Sequence, residues 1–177
     1  MRKESVGEWD ILDSWSVLIK DAYGRGEELL KETEKRIVDS KAPDIKMERV
    51  TLTTPILSRL FSKTKEREYL MVANEDLEHY RMYIGARNYG NNLDVQWYLI
   101  RTQKRLKREK ISEAAKAALR DIRREWIGMN IFERQDLVAY VTNVHHSLLE
   151  AIEKLMRDLG QDPSKIDRKS KGFLGVS

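Results

Sequence analysis

The chain has 177 residues, of which 35% are charged and 41% hydrophobic, and its 33 basic and 29 acidic side chains give a net charge of +4. This length suits one domain, and the apolar share supports a buried core, which excludes wholesale disorder. The absence of cysteine excludes disulfides, thiolate catalysis and cysteine-ligated metal sites. No apolar run approaches the roughly 20 residues that span a bilayer, and no signal peptide is recognisable. We therefore expect a cytoplasmic protein without a membrane span.

The positive charge is concentrated in one segment. Residues 1–100 carry a net charge of −2, residues 126–177 are neutral, and residues 101–125 carry +6. Such a segment attracts phosphates or an acidic protein partner, although a solvated helix face has the same composition. The abundance of Lys, Arg and Glu is also typical of thermophilic proteins.

The first predicted element is a long amphipathic helix over residues 9–40. Apolar residues recur there at three- and four-residue steps, and Pro43 ends the pattern. Gly24 and Gly26 lie within the stripe and weaken a helix, so two helices with a break at these glycines are the alternative.

The apolar period then changes to two, which indicates strands. Residues 46–54 are rich in Val and Thr, and residues 68–73 form a second short strand after a polar loop. We expect both to belong to one antiparallel sheet.

Residues 79–88 and 93–102 carry the clearest local signal, a hairpin. Gly90-Asn91 suits the tip, because these residues tolerate positive φ. With this tip, Ile84 faces Trp97 on an apolar face and Tyr83 faces Tyr98 on the other. A slip of one residue would scramble both faces, so the register is well specified.

The rest of the chain is predicted to be helical. Helices are expected over residues 112–124 and 133–159, and residues 161–177 form a flexible basic tail. The predicted fold is a single α+β domain over residues 1–160: an antiparallel sheet of about four strands, covered on one face by long N- and C-terminal helices. Long helices with apolar stripes often pair, so a homodimer is expected.

The sequence shows no catalytic or metal-ligating constellation and implies no cofactor. The second face of the hairpin combines Tyr and Arg side chains and leads into the basic segment, which is typical of single-stranded nucleic-acid platforms and of protein interfaces. An ordinary solvated surface is the third interpretation. The residues of this predicted partner face are Arg81, Tyr83, Arg87, Gln96, Tyr98, Arg101, Lys104, Arg105, Lys107 and Arg108.

Two functions remain open at this point. The first is a non-enzymatic interaction protein, homo-oligomeric, with a nucleic-acid-binding basic patch. The alternative is a small-molecule-binding protein or enzyme with a pocket between sheet and helices. Four residues are candidates for lining that pocket: Trp97, Trp126, Tyr140 and His145. The spacing also favours His145 as a hydrogen-bonded core histidine.

Overall fold

A computed structural model of the chain describes residues 2–5, 11–53, 66–101, 129–172 and 174–177. Within these residues there are six strands and two α-helices. They are, in chain order, β1 (Arg2–Ser5), β2 (Ile11–Ile19), α1 (Gly26–Asp39), β3 (Ile45–Thr53), β4 (Glu66–Asn74), β5 (Tyr80–Tyr89), β6 (Asn92–Arg101) and α2 (Ile131–Asp158). The helix predicted over residues 112–124 lies outside the described residues.

The six strands form one mixed sheet in the order β1-β3-β4-β5-β6-β2. β1 pairs in parallel with β3, and every other neighbouring pair is antiparallel. The predicted fold class is therefore wrong in its details. The sheet has six strands rather than about four, and the helices lie in the middle of the chain and near its C-terminal end, not at both ends.

The helix predicted over residues 9–40 is wrong in its first half, which is the edge strand β2. Trp15 and Ile19 are buried with alternating periodicity, whereas Ile11 and Leu18 are exposed. Because Ile11 and Leu18 are apolar although they lie on the exposed side of β2, the apolar residues of this segment have the spacing of an amphipathic helix. Trp, Ile and Val also favour a strand. The hydrogen bonds of β2 are made with β6, which lies about 80 positions later in the chain.

The alternative break at Gly24–Gly26 lies where β2 and its turn give way to α1. Gly24 has φ +81°, which a residue with a side chain rarely adopts. Gly26 begins α1 against β5, because a Cβ atom there would lie 3.1 Å from the Ala86 carbonyl oxygen.

The predicted hairpin register is confirmed. β5 and β6 pair with Ile84 opposite Trp97 and Tyr83 opposite Tyr98, and Gly90 at the tip has φ +61°. The apolar partners of this ladder face the helices. We call this side of the sheet the inner face and the opposite side the outer face.

Both helices pack on the inner face and form the main core. α1 and α2 lie side by side and antiparallel, with ion pairs Arg36–Glu150 and Lys154–Glu32 along their line of contact. Tyr140 of α2 connects the layers, since its hydroxyl donates to the Val72 carbonyl and accepts from the Met82 amide. Among the described residues, no helix is long and apolar enough to cross a membrane.

The outer face carries a second, smaller apolar cluster, formed by Val50, Tyr69, Met71, Tyr83 and Ile100. Gly85 makes room for it. A Cβ atom at Gly85 would lie 2.6 Å from the Tyr69 ring, so the ring occupies the space that a side chain on β5 would take. This contact sets the position of Tyr69 across the centre of the outer face.

Replacement of Gly85 by Ala tests this packing. An alanine normally stabilises a strand relative to glycine, by roughly 0.5–1 kcal/mol, because glycine loses more conformational entropy on folding. Here we expect the opposite sign, a loss of about 1–3 kcal/mol in the free energy of unfolding, because the Tyr69 ring must move. Urea denaturation measures the change, and a stabilised Gly85→Ala variant contradicts the packing.

Candidate interaction surface

The structure brings five residues of the predicted partner face together on the outer face: Arg81, Tyr83, Arg87, Gln96 and Tyr98. Only 1% of Tyr83 is exposed, and its hydroxyl donates to Glu4 over 2.5 Å. Arg81 also binds Glu4, at 3.1 Å. Burial, followed by the bond to Glu4, raises the pKa of Tyr83 well above its ordinary value. Tyr83 is thus a buried, paired residue, and its ring is not open for stacking on a base.

The other polar groups of this face are bound to one another. Tyr98 donates its hydroxyl to Gln96 (2.8 Å), whose amide donates to the Tyr69 hydroxyl (3.2 Å). Arg87 binds Asp94 across the ladder at 2.7 Å and lies over the Tyr89 ring. An exposed ion pair of this kind contributes little to stability.

Arg101 is separated from this group. Arg101 pairs with Tyr80 in the β5–β6 ladder. Because side chains alternate between the two faces of a sheet, Arg101 lies on the inner face. The remaining basic residues predicted for this face lie outside the described residues: Lys104, Arg105, Lys107 and Arg108. Nucleic-acid binding by this face and the segment after it therefore stays a prediction.

Three of the four predicted pocket residues fill the core. Trp97, Tyr140 and His145 are all buried, and their polar atoms bind protein groups. Trp126 lies outside the described residues. No group of three or more His, Asp or Glu residues that could hold a metal ion occurs in the described part of the chain. A ligand pocket at these residues also stays a prediction.

His145 is a fully buried histidine with both ring nitrogens bound. Nδ1 accepts from Trp97 Nε1 at 2.9 Å, and Nε2 donates to the Arg168 carbonyl at 2.7 Å. Trp15 packs edge-on against the ring, with 5.3 Å between centroids. These bonds require the neutral tautomer that carries its proton on Nε2.

The chain after α2, predicted as a flexible tail, makes defined contacts with β2 and α2. We call Ile166–Gly172 and Leu174–Ser177 the strap. Asp13, which is 1% exposed, accepts hydrogen bonds from Ser170 Oγ (3.0 Å) and the Leu174 amide (3.2 Å). The Lys171 amide donates to the Ser14 carbonyl at 2.8 Å, so the strap lies against the edge of β2 that pairs with no described strand.

The sequence did not predict a surface on α2 that is exposed and formed by uncharged residues. From Leu137 to Leu149 the helix has no Asp, Glu, Lys or Arg, in a chain that is 35% charged. Buried positions explain part of this run, but several of its members face solvent. We call the exposed and half-buried residues of this side the uncharged strip: Ile131, Phe132, Gln135, Val138, Ala139, Thr142, Asn143 and His146.

The uncharged strip lies where α2 extends beyond α1. Ser40, just after α1, donates to Asn143, so residues 131–142 continue past this point for about 18 Å. Beyond His146 the exposed residues Glu150, Lys154 and Arg157 are charged and paired. The half of α2 that extends beyond α1 presents Ile131, Phe132 and Val138 to solvent, although Glu133 and Asp136 of the same half are also exposed.

The part of the strip from Gln135 to His146 lines a shallow, open depression of about 720 Å³ together with Arg134. The strip is strongly exposed at its N-terminal end, where Ile131 and Phe132 are 73% and 72% accessible, and Val138 is 38% accessible. A second hollow of about 390 Å³ adjoins it at Asn143 and His146 and is lined by polar residues of α1 and α2. An apolar surface with a polar border is typical of protein interfaces.

Replacement of Ser170 by Ala tests the anchoring of the strap. It removes one donor to the buried Asp13 carboxyl group, and we expect a loss of about 1–3 kcal/mol in the free energy of unfolding. Ser16→Ala, on the exposed side of β2, is the matched control and should cost no more than about 0.5 kcal/mol. Equal effects of the two variants in urea denaturation would show that the strap contributes nothing through Ser170.

Comparison with known proteins gives no independent assignment of this surface. No family model, no curated protein and no solved structure matches the chain.

Proposed function

We propose that the protein is a non-enzymatic interaction protein that forms a homodimer through the uncharged strip of α2. The observation that carries the proposal is the exposure of Ile131, Phe132 and Val138 on one side of α2, where Arg134 is the charged residue that lines the same depression as Val138. Exposed apolar groups of this size are costly in water, and their burial by a partner removes that cost.

The absence of charge favours a second copy of the chain over an unrelated partner. In a twofold dimer, residues near the axis face their own copies, so a charged side chain there meets a like charge. A strip without charge avoids this repulsion, whereas an unrelated partner would tolerate charges that it complements.

The spacing of the strip also suits a helix pair. Ile131, Gln135, Val138 and Thr142 follow one another at steps of four, three and four residues, which is the seam of a coiled coil. Ala139 and Thr142 are small, so two helices can approach to about 8 Å.

The strip is short, which predicts a weak dimer. From Ile131 to His146 it spans about 22 Å of helix. An interface of this length falls below roughly 1,200 Å² in total, in the range of transient complexes. We therefore expect a reversible dimer with a dissociation constant in the micromolar range. The absence of cysteine fits a cytoplasmic location, which stays a prediction.

Sedimentation velocity between about 1 and about 200 μM tests the proposal. We expect the wild-type chain to change from monomer to dimer in this range. Val138→Lys should weaken the dimer at least about tenfold, or ~1.4 kcal/mol, because two lysines meet across the axis and apolar contact is lost.

The matched control is Leu18→Lys, which adds the same charge at an exposed apolar residue of the outer face, where Asp94 lies opposite. It should dimerise like the wild type. A wild-type chain that stays monomeric throughout, or equal behaviour of the two lysine variants, would contradict the proposed interface.

A further inference from the structure

The edge of β2 that faces away from β6 carries backbone groups that are open to pairing. The Ser14 carbonyl accepts from the strap, and the Ser14 amide donates to the Asp13 carboxylate, so both backbone groups of Ser14 point away from β6. Because these groups alternate between the two sides of a strand, those of Ser16 and Leu18 point the same way. On this side the described part of the chain supplies a donor to the Ser14 and Lys20 carbonyls and no partner to Ser16 or Leu18.

This edge lacks the charges that usually protect an edge strand. The nine residues of β2 include one charged side chain, Asp13, which is buried. At the opposite edge of the sheet, three of the four residues of β1 are charged. An exposed edge strand pairs with other chains unless a charge, a proline, a bulge or a covering segment prevents it. From Ser14 to Ile19 there is no charge, proline or bulge, so a covering segment is the protection that remains.

The strap crosses the start of β2 in close backbone contact. Gly172 lies so near to Asp13 that a Cβ atom on the glycine would overlap the Asp13 Cα atom and carboxylate. Ser170 and Leu174, on either side of this glycine, both donate to the same carboxylate. A residue with a side chain at position 172 is therefore incompatible with the docked strap.

We propose that the strap is an edge guard: it occupies β2 in place of the β2 of a second copy of the chain, and its displacement allows two sheets to pair edge to edge. The strap takes the Ser14 carbonyl, which such pairing needs, and it fills the space beside Asp13. This surface is separate from the uncharged strip, because the strip lies on α2 and the guarded edge belongs to the sheet.

The sequence of β2 is self-complementary, which favours a second copy as the occupant. In an antiparallel pair about a twofold axis at Ser16, Leu18 of each copy faces Ser14 of the other, and Val17 faces Trp15. The three residues with outward backbone groups can then form both amide–carbonyl bonds of every facing pair. No charged side chain meets its own copy, and the apolar inner face continues across the axis.

Replacement of Gly172 by Val tests the guard in the full chain. Val138→Lys is present in every variant, so that association through the uncharged strip does not contribute. We expect the strap to leave β2 and the chain to form dimers or larger species at about 50 μM in sedimentation velocity. The matched control, Lys171→Val, places the same side chain on the exposed neighbouring residue, keeps the amide donor and should stay monomeric.

Two substitutions at Ser16 locate the association. Ser16→Lys, added to Gly172→Val, brings two like charges together at the axis and should restore the monomer. Ser16→Cys gives the cysteine-free chain one thiol at the axis, where the two Cα atoms of a bonded pair lie about 5.5 Å apart. Oxidation should cross-link this thiol at least about tenfold faster with Gly172→Val than without it. Association that persists with Ser16→Lys comes from other exposed residues and overturns the guard.

Amide hydrogen exchange separates the remaining outcomes. Protection of the Lys171 amide should be lost in Gly172→Val, while the Ile84 amide in the hairpin stays protected. A Gly172→Val chain that remains monomeric contradicts the proposal in either case, because a docked strap shows that the glycine is not required and a released strap shows that β2 does not pair. Gly172→Ala, which makes the same overlap with a smaller side chain, covers the case in which the valine variant does not fold.

Discussion

Twelve residues of α2 are buried against the sheet and its neighbours, and the hydrogen bond from Trp97 to His145 fixes the rotation of the helix about its axis. A helix presents every third or fourth residue to the same side. Once Leu137, Val141, Val144 and Leu148 face the sheet, the side chains on the far side are determined. The uncharged strip and the attachment of the strap both follow from this one rotational setting.

The two surfaces of α2 are used in different ways. Where α1 and the strap lie beside the helix, Glu150 is paired with Arg36 and Glu153 with Arg168. Where neither lies beside it, Ile131, Phe132 and Val138 are exposed, although Glu133 and Asp136 are exposed there as well. In a highly charged chain this contrast is the opposite of what solvent exposure alone would produce, and it is the reason for assigning the strip to a partner.

The sequence predicted local features well and long-range ones poorly. The β5–β6 hairpin was predictable because both strands alternate and Gly90-Asn91 suits a tight turn, so that all the information lies within about 20 residues. Strand β2 was not predictable, because the strand with which it pairs is distant in the sequence. Its exposed residues Ile11 and Leu18 also produce an apolar spacing typical of a helix. The parallel pairing of β1 with β3 leaves even less local signal, since β1 has four residues.

For the candidate sites, too, local features were predictable from the sequence and long-range contacts were not. The sequence placed Tyr83 and Tyr98 on one face correctly, but burial of Tyr83 and its bond to Glu4 depend on a strand far away in the chain. Lys and Ser residues in the strap predict a flexible tail, whereas its contacts in the structure use mainly backbone groups, the hydroxyl of Ser170 and the side chain of Arg168, which composition does not reveal. The uncharged run Leu137–Leu149 was legible in the sequence, and only the structure shows which of its residues are exposed.

Disulfide cross-linking through the strip tests the proposed dimer interface directly. The chain has no cysteine, so Val138→Cys introduces one thiol at the middle of the proposed interface, and Leu18→Cys introduces one at an exposed position on the other side of the sheet. Under mild oxidation at micromolar concentration, we expect rapid formation of a covalent dimer by Val138→Cys and slow formation by Leu18→Cys. Equal rates for the two variants would contradict the assignment of the uncharged strip as the homodimer interface.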